Sequence, residues 1–460
     1  MIDKAISYWR LHRLPIIMVF TSLLIYYTIG YHLPRTDFIK LISLYSALFF
    51  LCYKLVQFEK WNFSFLIVSG ILFRIIFLFS TPTLSQDFYR FIWDGQLIIN
   101  GINPYLHLPK DIIMDLHRKV PIAMELYIGM GDLSRSNFSN YPPLNQLLFA
   151  LSSLLTGHSA LGSIVIMRIT IILADLGILY FGRKLLRKLN KSTHLIFWYF
   201  LNPLVILELT GNLHFEGVML FFFVCSLYLL NQNKWQLAAV IYSLSISIKL
   251  IPLMFLPIFL KYFGIKKSMV FYTLVGGVTL SLALPFYAPE FITNYSQTIG
   301  LWFSNFEFNA GFYNLVKSIS TQWDAKPWEL IKTYGKIVPI IIIIWVGLIT
   351  FIRNNKNTDS LITSMLWILS LYYFLSATVH PWYIIFLVVL CLFTKFRFPL
   401  LWSFTIFLSY FTYTNAAYKE SSLLLILEYF AVYTFMIYEI IRLQNKNQLF
   451  HKNSSQKCHE

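Results

Sequence analysis

Three charged side chains in the stretch Ser85–Tyr105, SQDFYRFIWDGQLIINGINPY, have the types and spacing for acid-base chemistry: Asp87, Arg90 and Asp94 fall at i, i+3 and i+7. On a helix these three share one face while Phe88, Phe91 and Ile92 share another. That is the pattern of a helix lying in a membrane interface with its charges turned to water. A carboxylate placed there can take the proton of an attacking hydroxyl, provided it is ionised, within hydrogen-bond reach and partly shielded from water. Asp87 is the candidate for that base. The plainer reading of a lone Asp just after Ser85 is a solvated or helix-capping residue. Arg90 and Asp94 can pair with each other or meet a phosphate, although exposed pairs of this kind are often incidental.

Further along, ionisable residues inside apolar runs are costly and therefore informative. Lys249, three residues before Pro252, meets a lipid-linked phosphate if it faces the bundle interior; otherwise it snorkels to the interface. The polar turn TGNLHFE sets Asn212, His214 and Glu216 close together, where they can orient a substrate or simply form a turn. His380, in HPWY, can donate to a phosphate or act as an acid, or anchor the segment at the interface. Gly101–Tyr105 and Asn140–Pro143 are turns by their punctuation, and Tyr105 and Tyr141 in them are candidate substrate contacts. Arg168 and Asp175 lie seven apart on one helix face, as a structural or a functional pair. Arg74 and Glu439 sit near segment ends and are discounted as snorkelling residues, Glu208 only in part. No phosphate-binding loop, dinucleotide fingerprint or His-Glu-x-x-His pair occurs. Cys52, Cys225 and Cys391 lie in apolar runs and Cys458 in the tail, without the spacing of a disulfide framework or a metal site.

The elements that position these residues must be membrane helices. The 460 residues are 57% hydrophobic and 13% charged, which excludes an ordinary soluble domain. The net charge of +16 lies in short loops between apolar runs, so it reads as topology, and no nucleic-acid partner is expected. Apolar runs at Leu14–Leu33, Phe38–Val56 and Phe63–Thr81 each approach the ~20 residues that cross a bilayer. With Lys4, Arg10 and Arg13 inside, three crossings put the long loop 82–142 outside. That loop holds five Lys/Arg in 61 positions, against five in ten for Arg183–Ser192. Two apolar stretches between them would reverse the sides, so the short one, Pro143–Gly157, is expected to be partial or re-entrant. Trp235–Phe263 is long for one helix and is expected to be bent or broken at Lys249 and Pro252. A second long loop, 287–335, falls on the same side as the first, and together they hold ten of the 21 acidic residues. The expected architecture is all-α, with about 12–14 crossings by the ~20-residue criterion. Residues 1–443 form one integral-membrane domain, and 444–460 a polar cytoplasmic tail without structure. The amino-terminal run shows no small-residue cleavage pattern, so the first span is expected to be retained.

The layout resembles the GT-C superfamily of integral-membrane glycosyltransferases, and within it the bacterial polyprenyl-phosphate-mannose-dependent mannosyltransferases. The residues that carry the resemblance are SQDFYRFIWDGQLIINGINPY, then NYPPLNQ from Asn140, NPLVILELTGNLHFEGVMLFFF from Asn202, SISIKLIPLMFLPIFL from Ser245 and TVHPWYIIFLVV from Thr378. They follow the family's order across most of the chain. The resemblance implies transfer of a hexose, mannose first, from a polyprenyl-phosphate donor to a glycan or glycolipid acceptor. It puts the active site on the extracytoplasmic side of the cytoplasmic membrane and makes Asp87 the base. Many relatives carry two adjacent acids there; here Gln86 precedes Asp87, which leaves a single-base inverting mechanism with no metal or other cofactor. Arg90, Lys249 or His380 would then steady the departing phosphate. The alternative class is a membrane transporter or lipid-linked-sugar flippase, which visible inverted repeats would favour and none is seen.

Overall fold

The computed structural model describes residues 2–456, and among them helices joined by turns make up the fold, without a strand. The all-α, multi-pass architecture is therefore as expected. Among the described residues, seven helices are long and apolar enough to cross a membrane: Tyr8–His32, Phe38–Glu59, Ala160–Lys188, Ile265–Phe286, Pro327–Ile352, Thr358–Leu375 and Ser422–Asn445. The pair Thr193–Phe200 and Pro203–Gly211 makes an eighth candidate, bent by 49°. The other apolar runs form shorter helices: Phe63–Ile75, Glu216–Asn231, Trp235–Ile248, Ile251–Phe263 and Pro381–Leu392. Together the seven long helices, the bent pair and the five shorter ones among the described residues number thirteen, within the 12–14 expected from apolar run length.

The interruptions have local causes. Asn202 caps the next short helix through Leu204 N, and Pro203 follows it, which bends the eighth candidate. Lys249 adopts extended backbone after Ile248, and a 3-10 segment carrying Pro252 and Pro257 follows, so Trp235–Phe263 is broken where the sequence suggests. Broken backbone is tolerated at membrane depth only where protein covers it. Consistent with that, every residue of the bent piece Pro203–Gly211 is buried, whereas the long helices show Ile340, Ile343, Phe351, Leu423 and Phe430 to their surroundings.

Labelling the first helices α1 (Ile2–His32), α2 (Phe38–Glu59), α3 (Phe63–Ile75) and α4 (Asp87–Ile99), two buried arginines tie them to the rest. Arg74 of α3 donates through Nε to Asp175 at 2.7 Å and through Nη1 to the Phe200 carbonyl at 2.8 Å. Arg168 donates to the carbonyls of Leu78, Ser80, Thr210 and Gly211. Arg168 and Asp175 share a helix face but do not pair, and Arg74 does not snorkel: it is fully buried.

α4 forms where the charge spacing places it, but it is not an interfacial helix. Arg90 is 4% exposed and Asp94 fully buried, because the Pro143–Thr156 helix packs along α4 and closes over the polar face. A Cβ on Gly95 would lie 2.4 Å from the Phe149 carbonyl, so the two helices touch backbone to backbone there. At about 1.5 Å per residue the Pro143–Thr156 helix is some 20 Å long, short of a ~30 Å hydrocarbon core.

The two ends of the bundle differ in charge. At one end His12 bonds Glu59 at 2.7 Å, Trp61 meets His194, Lys191 pairs with Asp359 at 2.6 Å and Lys261 donates to the Phe351 carbonyl. The basic turns thus gather there. The two long loops, 82–142 and 287–335, meet at the other end, where Asn103 donates to the Phe286 carbonyl at 2.8 Å and Asn294 to the Tyr105 carbonyl at 3.0 Å. The final helix runs Ser422–Gln456, so residues 444–456 of the tail expected to lack structure are helical, and Cys458 lies outside the described residues.

Candidate active site

A cavity of about 1770 Å³ opens between the long loops. Its wall is assembled from distant pieces of chain: the short α1–α2 loop, the start of α4, the break at Lys249, the second long loop, Tyr372–Tyr383 and the turn before the last helix. Of the residues singled out by sequence, Asp87, Arg90, Tyr141, Lys249 and His380 line it.

Asp87 opens the first turn of α4, its backbone N–H donating to Ser85 Oγ at 3.3 Å. Its carboxylate is half-buried, and no donor among the described residues bonds it. Burial pushes this carboxyl up to about 6; Glu216 adds to the rise, while Lys249 and Arg35 oppose it. An acid held in that way is ionised near neutral pH yet basic enough to accept a proton, and it faces open space.

Lys249 projects from the helix break and pairs with Glu216, the first residue of Glu216–Asn231. The second Glu216 oxygen is buried without a partner among the described residues. His380 is clamped: its ring stacks on Trp382 at 4.4 Å and on Phe308 at 4.7 Å. Phe308 is held in turn by an isolated bridge to Thr378, its N–H on the Ala377 carbonyl at 3.0 Å and its carbonyl accepting from Val379 at 2.8 Å. Burial, with Lys249 nearby, pushes the His380 imidazole down to about 3. It is therefore a neutral ring, able to give or take one hydrogen bond but not to act as a cation at neutral pH.

The other named residues stand behind the wall. Asp94 accepts from Arg90 Nε at 2.7 Å, Ser139 Oγ at 2.6 Å and Gln146 Nε2 at 2.9 Å, so it fixes Arg90 and the loop rather than facing the cavity. Tyr105 is fully buried and donates to the Tyr141 carbonyl at 2.5 Å. Asn212 donates to Glu208 at 3.1 Å and accepts from the Leu84 N–H at 3.3 Å, fastening the segment just before Asp87. His214 stacks on Trp382 at 3.7 Å, aimed there by Leu213 in the left-handed region at φ 64.

Sequence reasoning missed several members. Glu208, set aside in part as a snorkelling residue, is fully buried in a π-helical turn, Ile206–Gly211, and accepts from Tyr410 at 2.6 Å; such turns often mark functional sites. Arg35 lines the cavity from the α1–α2 loop. Glu420 holds the second long loop through the Asn309 N–H and through Asn314 Nδ2 at 3.0 Å. Glu208 carries a signal, an acid inside an apolar run, but nothing local marks Arg35 or Glu420, which gain meaning only from partners far along the chain. Among the described residues, no group of three or more His, Cys, Asp or Glu is placed to hold a metal ion.

Comparison with known proteins bears out the resemblance noted in the sequence. The family model "Alpha-(1->6)-mannopyranosyltransferase, N-terminal domain" matches residues 38–263, from α2 through the break at Lys249. The family model "ALG3 protein" matches residues 212–318, from the Asn212 turn into the second long loop. The Alpha-(1->6)-mannopyranosyltransferase B of Corynebacterium glutamicum is 26% identical over 156 residues, which cover 33% of this chain and 24% of that protein. The chain thus matches about a quarter of that relative's length. No solved structure matches.

Proposed function

We propose that this chain is a GT-C-type mannosyltransferase, and that it moves mannose from a polyprenyl-phosphate donor to a glycan or glycolipid acceptor with inversion at the anomeric carbon. The observation that carries the mechanism is the unbonded, half-buried Asp87 carboxylate in a cavity that also presents Lys249 and His380. The matches to mannosyltransferase families carry the reaction class. They also disfavour a transporter or flippase.

In this reading Asp87 takes the acceptor hydroxyl proton as the oxygen attacks the anomeric carbon, and the polyprenyl phosphate departs from the opposite face. The neutral His380 ring fixes orientation by one hydrogen bond, while the cationic side of the cavity steadies the departing charge. Leu250, Leu253 and Met254 border the polar centre, an apolar margin suited to a lipid chain. The basic turns gather at the end opposite the cavity, and the positive-inside rule then supports a site on the extracytoplasmic side of the cytoplasmic membrane. Soluble or lipid-borne acceptors would reach it from outside and the donor from the bilayer.

The test is transfer from radiolabelled polyprenyl-phosphate-mannose by purified protein in vesicles, with the glucose and pentose donors alongside. Transfer of the mannose label supports the reading, and failure with folded protein and every donor removes it. The acid limb of the rate profile is also fixed. Asp87 must be ionised, so with its carboxyl near 6, kcat/KM should fall about tenfold per pH unit below about 6 and level off above about 7. A flat profile from pH 5 to 8 would contradict Asp87 as the base.

A further inference from the structure

Among the described residues, five basic side chains line the cavity: Arg35, Arg90, Lys249, Lys317 and Lys419. Three already have acidic partners. Lys249 is paired with Glu216, Lys317 with Glu307, and Arg90 with Asp94. Arg90 also spends Nη1 on the Ser134 and Asn137 carbonyls, at 2.7 Å and 3.0 Å, so its position is fixed as part of the loop scaffold. Lys419 is exposed at the rim of the cavity. Arg35 differs from all four. It is half-buried, has no acidic partner among the described residues, and its guanidinium lies over the Tyr413 ring at 4.4 Å.

A guanidinium stacked on an aromatic face is held in place while its N–H edge stays free, the arrangement suited to a planar, two-pronged grip on phosphate oxygens. Its field already reaches the catalytic carboxylate, lowering the Asp87 carboxyl against the effect of burial. A cation that near the reacting centre and not neutralised by the protein has its counter-charge still to come from a ligand.

We propose that Arg35 is the phosphate-contacting cation of the site, gripping the phosphate of the lipid-linked donor and taking up the second negative charge that develops there as the sugar leaves. This rests on the transferase reading above. The donor is a phosphodiester with one negative charge. When the bond between the anomeric carbon and the phosphate oxygen breaks, its electron pair stays on that oxygen and leaves a phosphomonoester with two. The acceptor oxygen forms the new bond to the anomeric carbon, and its proton passes to Asp87. Arg35 therefore interacts more strongly with the departing product than with the donor, which is the condition for raising kcat rather than only lowering KM.

Arg35→Gln and Arg35→Lys, purified with the wild type, test it in two ways. In transfer from polyprenyl-phosphate-mannose, Arg35→Gln should lose about 10²-fold or more in kcat, and Arg35→Lys should recover part of the loss. Inhibition by polyprenyl phosphate should weaken in Arg35→Gln by a larger factor than the donor's KM rises, because the monoester carries the extra charge. Polyprenol, which lacks phosphate, should act alike on all three proteins. Wild-type transfer with an unchanged kcat and unchanged product inhibition in Arg35→Gln overturns the proposal. If the wild type transfers from no donor, the transferase reading fails, and direct binding of labelled polyprenyl phosphate decides Arg35 separately. Weaker binding by Arg35→Gln than by wild type supports the phosphate grip; equal binding, or none by wild type, overturns it. Should Arg35→Gln not fold, the same comparisons are made with Arg35→Lys, whose point charge cannot reproduce the two-pronged grip.

Discussion

Replacement of Asp87 by Asn is expected to lower mannosyl transfer by about 10²–10⁴-fold while leaving the protein folded. The side chain is isosteric, and no donor among the described residues bonds the carboxylate, so the substitution breaks no internal contact. What is lost is, among the described residues that line the cavity, the carboxylate with no partner in the protein: Asp132 pairs with Arg135, Glu307 with Lys317, and Glu420 accepts from the Asn309 N–H and Asn314. Glu216 is engaged with Lys249, Asp94 is saturated by Arg90, Ser139 and Gln146, and Glu208 is fully buried behind the wall on Tyr410 and Asn212. The favourable place of a negative charge at the start of α4 is outweighed by its burial, which pushes the carboxyl up to about 6, so removing the charge does not unfold the chain. Asp87→Glu should retain more activity than Asp87→Asn, since it keeps a base displaced by one methylene. Initial rates with labelled polyprenyl-phosphate-mannose, alongside heat-resistance of the purified variants, make the measurement. Equal rates for wild type and Asp87→Asn would assign the base elsewhere.

Much of this arrangement could be read from the chain before its fold. The spacing of Asp87, Arg90 and Asp94 fixes α4, the conflict of Lys249 and Pro252 with a continuous helix fixes the break, and five of the ten named residues do line one cavity. The errors share a cause. Helical periodicity says which residues share a face but not what covers that face, so α4 looks interfacial although the Pro143–Thr156 helix buries its charges. Apolar run length says that a segment suits a membrane but not whether it stays one helix, so it finds the apolar segments without telling the seven or eight of full length from the shorter pieces. Arg35 sits in a five-residue loop that no motif marks, and its role depends on Tyr413 and on the neutralisation of every neighbouring cation but one exposed lysine. Arg74 and Asp175 are 101 positions apart, with nothing local to join them.

That last pair supports the second large effect. Asp175→Leu should destabilise the protein by about 3–5 kcal/mol, the usual result of stripping one partner from a buried ion pair. Both side chains are fully buried, so the Arg74 guanidinium would keep its charge with neither water nor a carboxylate to balance it. Tyr199 would also lose the acceptor of its 2.5 Å hydrogen bond. The stacking of Arg74 on Phe200 at 4.2 Å and its bonds to the Gly70 and Phe200 carbonyls do not supply the missing negative charge. If the defect is the stranded charge rather than lost volume, Arg74→Met combined with Asp175→Leu should recover much of the stability, because apolar replacement of a whole buried pair is often close to neutral. Thermal unfolding of the purified variants in detergent distinguishes the two causes: a double variant no more stable than Asp175→Leu would trace the loss to packing. Activity should fall with stability in the single variant and return only in part in the double. Arg74 joins the end of α3, which leads to Asp87, to the Phe200 carbonyl just before the turn that leads to Glu208 and Asn212. Methionine can fill that space, but it cannot hold the two segments in register by hydrogen bonds.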